Sequence, residues 1–200
     1  LFFVDAIQSL GVLPMDVKKD HIDFLSADGH KWMLSVEGLG GFYISKEVVD
    51  KVRPVTMGWG NVINAANFMD YDFTLQADAK KFEEGTPNTM SIHAFGAALE
   101  LLLEVGIDNI EKRVMSLGDC VIGELKSRGI KIYSSTLLSE RSGNISFALD
   151  KDVGRLYSFM LENKVKLTVR DGLVRFSPHF YNNEEEILKV FDLLDSYLKK

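Results

Sequence analysis

A lysine stands at the centre of the segment HIDFLSADGHKWMLSVEGLGGFYIS, residues 21–45, directly after Gly29 and His30. Apolar runs that predict strands lie on both sides of Lys31, although burial strips an ammonium group of hydration that is worth several kcal/mol. A surface lysine whose stem packs on apolar neighbours is the commoner arrangement. The alternative is a Schiff-base lysine, whose amine is activated by partial burial and nearby positive charge.

Two further polar residues follow the first apolar run of the chain, LFFV. Asp5 comes directly after it, where a buried parallel strand would reach the carboxyl edge of a sheet, the edge at which open α/β sheets bind ligands. This carboxylate could cap a turn, or it could hold the protonated ring nitrogen of pyridoxal phosphate. Gln8 comes three residues later, so its amide could donate a hydrogen bond to the phenolic oxygen of the same ring.

Strands and helices alternate along the chain, which indicates an α/β or α+β fold. Strands are predicted near residues 23–27 and in LFFVD, GGFYIS, KIYSS, NISFALD, KLTVRDG and LVRFSPHF. Helices are predicted in SIHAFGAALELLLEVG, IDNIEKRVMSLGDCVIGELKSRG, DVGRLYSFMLENKV and NEEEILKVFDLLDSYLKK. Thr89 or Ser91 is the expected N-cap of the first helix, and Gly129 the stop signal of the second. We expect one domain over residues 1–110 and a second over residues 111–200.

Composition excludes several functional classes. Hydrophobic residues make up 46% and charged residues 26% of the 200 residues, which is enough for a packed core. The net charge is −6 and no basic patch is visible, so we expect no nucleic-acid partner. No apolar run approaches the roughly 20 residues of a membrane span. The one cysteine, Cys120, excludes an intrachain disulfide and suits a reducing cytosol, so we expect a cytoplasmic protein.

Four motifs together resemble the class V aminotransferases, which are fold-type I pyridoxal phosphate enzymes that include cysteine desulfurases, isopenicillin N epimerase-like proteins and kynureninases. The motifs are VDAIQSLG, HIDFLSADGHKWMLSVEGLGGFYIS, FEEGTPNT and VRDGLVRFSPHFYNNEEEI, in the order and spacing of the family. The resemblance covers essentially the whole chain, but only the carboxyl-terminal half of such an enzyme. Since the chain opens on a strand without an initiator methionine, we expect it to begin within a larger protein. The implied α/β fold combines part of the large, mainly parallel-sheet domain with a small α+β domain.

The resemblance also implies roles for individual residues. Lys31 would be the catalytic lysine and would hold pyridoxal phosphate covalently, Asp5 would pair with the pyridine nitrogen, and Gln8 would contact the phenolic oxygen. His30 would reach the cofactor phosphate. Thr86 in GTPNT would reach the phosphate bound to the neighbouring subunit, which makes the expected assembly a homodimer with shared active sites. The alternatives are that His30 is a structural histidine and that Thr86 is only a turn residue.

Arg170 and Arg175 are the candidates for binding the carboxylate of an amino acid substrate, because a guanidinium group matches a carboxylate bidentately. Arg170 also belongs to VRDG, which resembles a hairpin turn, so one of the two arginines could be structural.

The sequence departs from the cysteine desulfurases at two positions. These enzymes usually carry a serine or threonine three residues before the lysine, for the cofactor phosphate. Asp28 stands there in this chain, and because a carboxylate repels a phosphate dianion, we expect its side chain to point elsewhere and Ser26 to be a candidate substitute. Desulfurases also carry a catalytic cysteine on a loop of the small domain, whereas Cys120 lies in a predicted amphipathic helix. The epimerase-like and general aminotransferase branch is therefore the better match.

We expect this chain to be part of an enzyme that uses pyridoxal phosphate on an amino acid, by transamination, epimerisation or elimination, and to be inactive as an isolated fragment. One alternative is a non-catalytic dimerisation or binding scaffold derived from the same fold, and another is a cysteine desulfurase. The coexistence of the candidate site residues argues against the scaffold, because packing alone does not require them. No cluster of side chains has metal-ligand spacing, and no membrane or nucleic acid is expected as a partner.

Overall fold

The structure is a computed structural model that describes residues 1–199, which form two compact units, Leu1–Glu104 and the residues from Val105 onward. The first unit contains β1 (Phe3–Asp5), β2 (Phe24–Asp28), β3 (Gly40–Ile44) and α1 (Thr89–Val105), whose last residue opens the second unit. The second unit contains α2 (Ile107–Ser127), β4 (Ile145–Phe147), α3 (Val153–Glu162), β5 (Thr168–Arg170), β6 (Leu173–Phe176) and α4 (Glu184–Leu198). The assignment of residues 1–110 and 111–200 to two domains stays a prediction.

The sheet of the first unit has the strand order β1-β2-β3 and places polar residues at one edge. β1 and β2 are parallel, with Asp5 opposite Ser26. β2 and β3 are antiparallel, with Asp28 opposite Gly40. The carboxyl ends of β1 and β2 therefore lie at the same edge as the amino end of β3. The sequence prediction that Asp5 ends a parallel strand agrees with this pairing.

β1 is more exposed than its apolar sequence suggests. Phe2 and Phe3 are 52% and 56% exposed, where a buried strand was expected. The reason is topological, because β1 is an outer strand of the described sheet and pairs with β2 alone. The first unit is held instead by buried residues that follow the strands, among them Ala6, Val12, Trp32 and Met33.

The second unit has a larger core. Its sheet has the order β4-β6-β5 with antiparallel neighbours, and the rings of Phe176 and Phe191 pack edge to face with centroids 5.8 Å apart. α2 buries one apolar face against this core, as its amphipathic pattern predicts. The segment KIYSS is not a strand, because it makes only an isolated bridge between Ile132 and Phe147. Two strands were therefore predicted around β4 where the structure has one.

The end of α2 agrees with the sequence prediction, whereas the start of α1 does not. α2 ends as expected, since Gly129 has φ of 65° and donates its N–H to the carbonyl of Lys126 at 3.0 Å. The N-cap of α1 is neither Thr89 nor Ser91. The side-chain oxygen of Asn88 accepts the N–H of Ser91 at 3.2 Å, so Asn88 caps this helix. No single helix among residues 1–199 is long and apolar enough to cross a membrane, although α1 and α2 taken as a bent pair meet the criterion by length and composition.

Candidate active site

A cavity of about 290 Å³ lies at the edge of the first sheet where β1 and β2 end. Its polar lining comes from Asp5, Ser26 and Asp28. The remaining lining residues are Ile7, Ala27, Gly40, Gly41 and Phe42. Ligands of open α/β sheets bind outside the carboxyl ends of the strands, which is where this cavity lies. Gly40 keeps the strands close there, because a Cβ atom on it would lie 2.5 Å from the carbonyl oxygen of Ala27.

Asp5 serves in part as the turn cap that the sequence suggested. Its Oδ1 atom accepts the N–H of Ile7 at 3.1 Å, which fixes the carboxylate at the end of β1. The side chain is exposed and lines the cavity. Because an ionised carboxylate has about four acceptor sites on two oxygens, this bond leaves capacity for a cationic N–H of a ligand.

Lys31 lies in the turn that follows β2, three residues beyond Asp28. Two backbone hydrogen bonds of Gly29 shape this turn. The N–H of Gly29 donates to the carbonyl of Leu39, and the carbonyl of Gly29 accepts the N–H of Ser35, both at 2.9 Å. The Lys31 side chain is exposed, which is the commoner of the two arrangements considered for it, whereas the Schiff-base alternative assumed partial burial. The turn runs past the edge of the sheet, and the next residue, Trp32, is the one that enters the core, with 5% exposure.

Gln8 is joined to the lysine turn through its neighbour. The indole Nε1–H of Trp32 donates to Oε1 of Gln8 at 3.4 Å. Gly11 makes this approach possible, because a Cβ atom there would lie 2.7 Å from the carbonyl carbon and oxygen of Trp32, and its φ is 98°. The sequence did not indicate this contact, because no periodicity relates Trp32 to Gln8, which is 24 positions away in the chain.

Asp28 and His30 lie close to each other beside the cavity. His30 Nδ1 is 4.0 Å from Asp28 Oδ2, and the two side chains are 30% and 55% exposed. Asp28 and Ser26 both line the cavity. The expectation that the Asp28 side chain points away from a bound phosphate stays a prediction.

Thr86 lies between a 3₁₀ turn, Ala79–Phe82, and the start of α1. It is exposed and does not line the cavity at the sheet edge, so within residues 1–199 the structure does not bring it to Asp5 and Ser26. The predicted role of Thr86 concerned the phosphate bound to a neighbouring subunit, and that role stays a prediction.

The two candidate arginines belong to the second unit and differ in their surroundings. Arg170 ends β5 and is 82% exposed, beside a two-residue hairpin loop in which Asp171 and Gly172 have φ of 51° and 78°. These angles match the turn expected for Asp-Gly. Arg175 lies on β6, half-buried, and its Nη2 donates to Oγ1 of Thr168 at 3.4 Å. Its Nε is buried without an acceptor among the described residues.

Cys120 lies on α2 and is half-buried. Burial raises the pKa of its thiol, and the nearby carboxylates of Glu124 and Glu184 raise it further. The thiol is therefore held in its protonated, weakly nucleophilic form. No group of three or more His, Cys, Asp or Glu side chains within residues 1–199 could hold a metal ion.

Comparison with known proteins adds a family to this geometry. The model of the family described as aminotransferase class V matches residues 1–190. An uncharacterized aminotransferase, YcbU, from Bacillus subtilis is 29% identical and is matched over 96% of this chain and 50% of its own length. A probable cysteine desulfurase from Pyrococcus abyssi is 32% identical over 100% of this chain and 52% of its own length. The chain thus spans about half the length of these curated relatives.

The fold has solved counterparts. The apo structure of a cysteine desulfurase from Thermococcus onnurineus NA1 superposes with a TM-score of 0.90 and 25% identity, over 100% of this chain and 52% of the other. The prediction of a partial α/β fold of type I pyridoxal phosphate enzymes is confirmed. The prediction that the chain corresponds to about half of a family member is confirmed as well.

Proposed function

Because this chain belongs to the class V aminotransferase family, we propose that it carries the catalytic lysine of a pyridoxal phosphate-dependent enzyme that acts on an amino acid. The observation that carries the proposal is the parallel pairing of β1 and β2. It sets Asp5 opposite Ser26 at the edge where the cavity lies, and the turn with Lys31 follows β2 at that same edge, although Lys31 does not itself line the cavity. Transamination, epimerisation and elimination all begin with proton removal from the α-carbon of the amino acid and remain the candidate reactions.

The donor set at the sheet edge fits a pyridoxal ring. When bound, pyridoxal phosphate supplies an aldehyde carbon and a protonated ring that withdraws electrons from the substrate. Asp5 would accept the ring N–H, and its bond from Ile7 keeps the carboxylate fixed for this task. Gln8 would donate its amide N–H to the phenolic oxygen, since its Oε1 already accepts the indole N–H of Trp32.

Lys31 performs two tasks in this proposal. Its exposed amine is free to bond covalently to an aldehyde, and its turn is anchored in the core by Trp32 and Met33, which are 5% and 2% exposed. The same Nζ atom would take the proton from the α-carbon of the substrate, as a general base. A flexible side chain on a fixed turn suits both tasks, because the amine must move while the backbone of the turn stays in place.

The substrate carboxylate would bind to Arg175 rather than Arg170. Arg175 carries a half-buried guanidinium with an Nε that lacks an acceptor among the described residues, whereas Arg170 ends a strand at an exposed hairpin. An anion is bound more strongly by a partly desolvated guanidinium than by a fully hydrated one.

The phosphate is the part of the cofactor that fits least well. Ser26 offers a hydroxyl at the cavity and His30 an imidazole, which bears a positive charge when protonated. Asp28 lines the same cavity with a negative charge. We propose that Ser26 and His30 bind the phosphate and that Asp28 lowers its affinity.

A cysteine desulfurase is the second candidate, because several relatives, including the one from Pyrococcus abyssi, bear that name. Cys120 does not support it, since its thiol is half-buried on a helix and its pKa is raised. Release of sulfide from L-cysteine by the full-length protein would favour this candidate. Turnover of other amino acids without sulfide would favour the aminotransferase or epimerase reaction.

We also propose that the protein works in the cytoplasm as a homodimer with shared active sites, in which Thr86 of one subunit contacts the phosphate held by the other. Mixing a Lys31→Ala subunit with a Thr86→Val subunit tests this arrangement. Shared sites predict recovered activity in the mixed dimer, because one of its two sites carries neither substitution. If each site is built from one subunit alone, mixing the two variants should recover no activity.

The direct test of the proposed function uses the visible absorbance of the full-length protein with pyridoxal phosphate, before and after reduction with borohydride. We expect a visible band and a reduced cofactor attached to the peptide that contains Lys31. Lys31→Ala should abolish the attachment, whereas Lys46→Ala, at an exposed lysine after β3, should leave it intact. A colourless protein that takes up no cofactor would favour the non-catalytic scaffold.

A further inference from the structure

Asn61 is completely buried and lies within residues 54–79, whose sequence shows no helical or strand period. Its Nδ2 donates to the carbonyl of Lys81 at 2.7 Å, and its Oδ1 accepts the N–H of Gly58. Its own carbonyl accepts the N–H of Gln76 at 2.8 Å. A buried side-chain amide whose polar groups are all hydrogen-bonded fixes the backbone segments that it joins, because breaking any one of the bonds leaves a buried polar group unpaired.

The residues around Asn61, here named the 58–61 turn, lie directly against the backbone that precedes Thr86. Gly60 donates its N–H to the carbonyl of Glu84 at 3.1 Å. A Cβ atom on Gly60 would lie 2.6 Å from the carbonyl oxygen of Glu83, and one on Gly58 would collide with the carbonyl of Glu84. The obstacles are backbone atoms, so a side chain at either glycine would displace the backbone leading to Thr86.

Lys81 holds the start of the same stretch from another direction. Its side chain is buried, with 4% of the residue exposed, and its ammonium group donates to the carbonyl of Val49. Its own carbonyl is the one that Asn61 binds. Residues 81–84 are therefore fixed at both ends, by Asn61 at Lys81 and by Gly60 at Glu84, and Thr86 follows two residues after Glu84.

We propose that the 58–61 turn is a positioning element for phosphate binding by Thr86. This inference rests on the proposed function, which assigns Thr86 to the phosphate of pyridoxal phosphate. A hydroxyl contributes to the binding of an anion only when its backbone is held in the productive geometry. Asn61 and Gly60 act through the backbone from Lys81 to Thr86 and do not touch the cofactor themselves.

The test compares two ligands, pyridoxal phosphate and pyridoxal, which lacks the phosphate. Gly60→Ala in the full-length protein should lower the affinity for pyridoxal phosphate about tenfold, because a small displacement of a positioned group has effects of that order. The affinity for pyridoxal should change by less than about twofold. The matched control is Gly123→Ala on α2, where an added Cβ meets no atom within 4 Å, and it should change neither affinity.

A second comparison, in protein that carries Thr86→Val, distinguishes loss of positioning from general damage to the fold. In Thr86→Val protein, Gly60→Ala should produce no further loss of affinity for pyridoxal phosphate, because the group that it positions is already gone. Asn61→Asp, which cannot donate to Lys81, should behave like Gly60→Ala. Equal weakening of both ligands, or additive losses in the Thr86→Val background, would overturn the inference and leave the proposed function intact. A parent protein that binds neither ligand would overturn the proposed function itself.

Discussion

Trp32 donates its indole N–H to the side-chain oxygen of Gln8 at 3.4 Å, and this bond joins the turn that carries Lys31 to the segment that follows β1. This bond fixes the orientation of the Gln8 amide, whose oxygen faces Trp32 and whose NH₂ group is its donor. The same indole is 5% exposed, so the contact that orients Gln8 also anchors the lysine turn. Gly11 allows it by leaving room beside the Trp32 backbone.

We expect Trp32→Phe to weaken pyridoxal phosphate binding about threefold to tenfold, the usual net worth of one hydrogen bond. The absorbance maximum of the bound cofactor should also shift, because the donor to its phenolic oxygen loses its fixed orientation. Spectrophotometric titration measures both effects. Met33→Leu, a conservative change at the next buried residue, is the control for packing. An unchanged spectrum in Trp32→Phe, with normal affinity, would show that the indole N–H has no positioning role.

Asp28→Ser should strengthen the binding of pyridoxal phosphate. The substitution removes a negative charge from the cavity lining, and like charges that are close together in a partly exposed site repel by about 1 kcal/mol or more. The gain should shrink as salt is added and should be absent for pyridoxal. Glu37→Ser removes an exposed charge from the loop between β2 and β3 and serves as the control. Weaker binding by Asp28→Ser would instead mean that Asp28 acts by orienting His30.

The place of Asp5 at the carboxyl end of a parallel strand could be predicted from sequence, because an apolar run that ends in a carboxylate is a local signal. Its grouping with Lys31 came from the resemblance to a family, since the pairing of β1 with β2 joins residues about 21 positions apart and no local pattern specifies it. The sequence left open whether Lys31 is exposed or partly buried, since this depends on how far the turn extends beyond β2. Residues 54–79 show no helical or strand period, so local patterns indicate no regular element there, and a loop of this length in a compact domain is usually functional or mobile.

Asn61 and Asn88 illustrate what local patterns leave undecided. The importance of Asn61 comes from Lys81, 20 residues away, and no rule on periodicity links the two. Asn88 was passed over as a helix cap because Thr89 and Ser91, which are also favourable N-cap residues, stand next to it. Propensity ranks such candidates within a few tenths of a kcal/mol of each other, and the tertiary path of the chain decides among them.

Substitution of the arginines should separate their roles. Arg175→Lys should raise the KM for an amino acid substrate about tenfold or more, because a lysine cannot form a bidentate pair with a carboxylate. Arg170→Lys should change it by less than about twofold, as expected for an exposed strand end. Steady-state kinetics with a panel of L-amino acids, and with the amide of the best substrate, measures the effect. An amide that loses as much affinity as the acid in Arg175→Lys would exclude a carboxylate contact.

The stability of the second unit should depend on pH through Arg128 and Asp195. Arg128 donates to both carboxylate oxygens of Asp195, at 2.7 and 2.9 Å, and these bonds hold the pKa of Asp195 below its usual value. The pair therefore stabilises the fold above the unfolded-state pKa of about 3.9, and the contribution is lost as the pH falls through the lower folded-state pKa. Asp195→Asn should cost about 1 kcal/mol at neutral pH, since the pair is partly exposed and screened by solvent.

Urea unfolding of the full-length protein at pH 7, 5 and about 3 checks this dependence. The difference between wild type and Asp195→Asn should persist at pH 7 and 5 and should shrink toward pH 3, where the unfolded chain binds a proton that the folded chain resists. Asp150→Asn, at an exposed position before α3, should show no such trend. A difference that stays constant down to pH 3 would mean that Asp195 stabilises the second unit by packing and hydrogen bonding rather than by its charge.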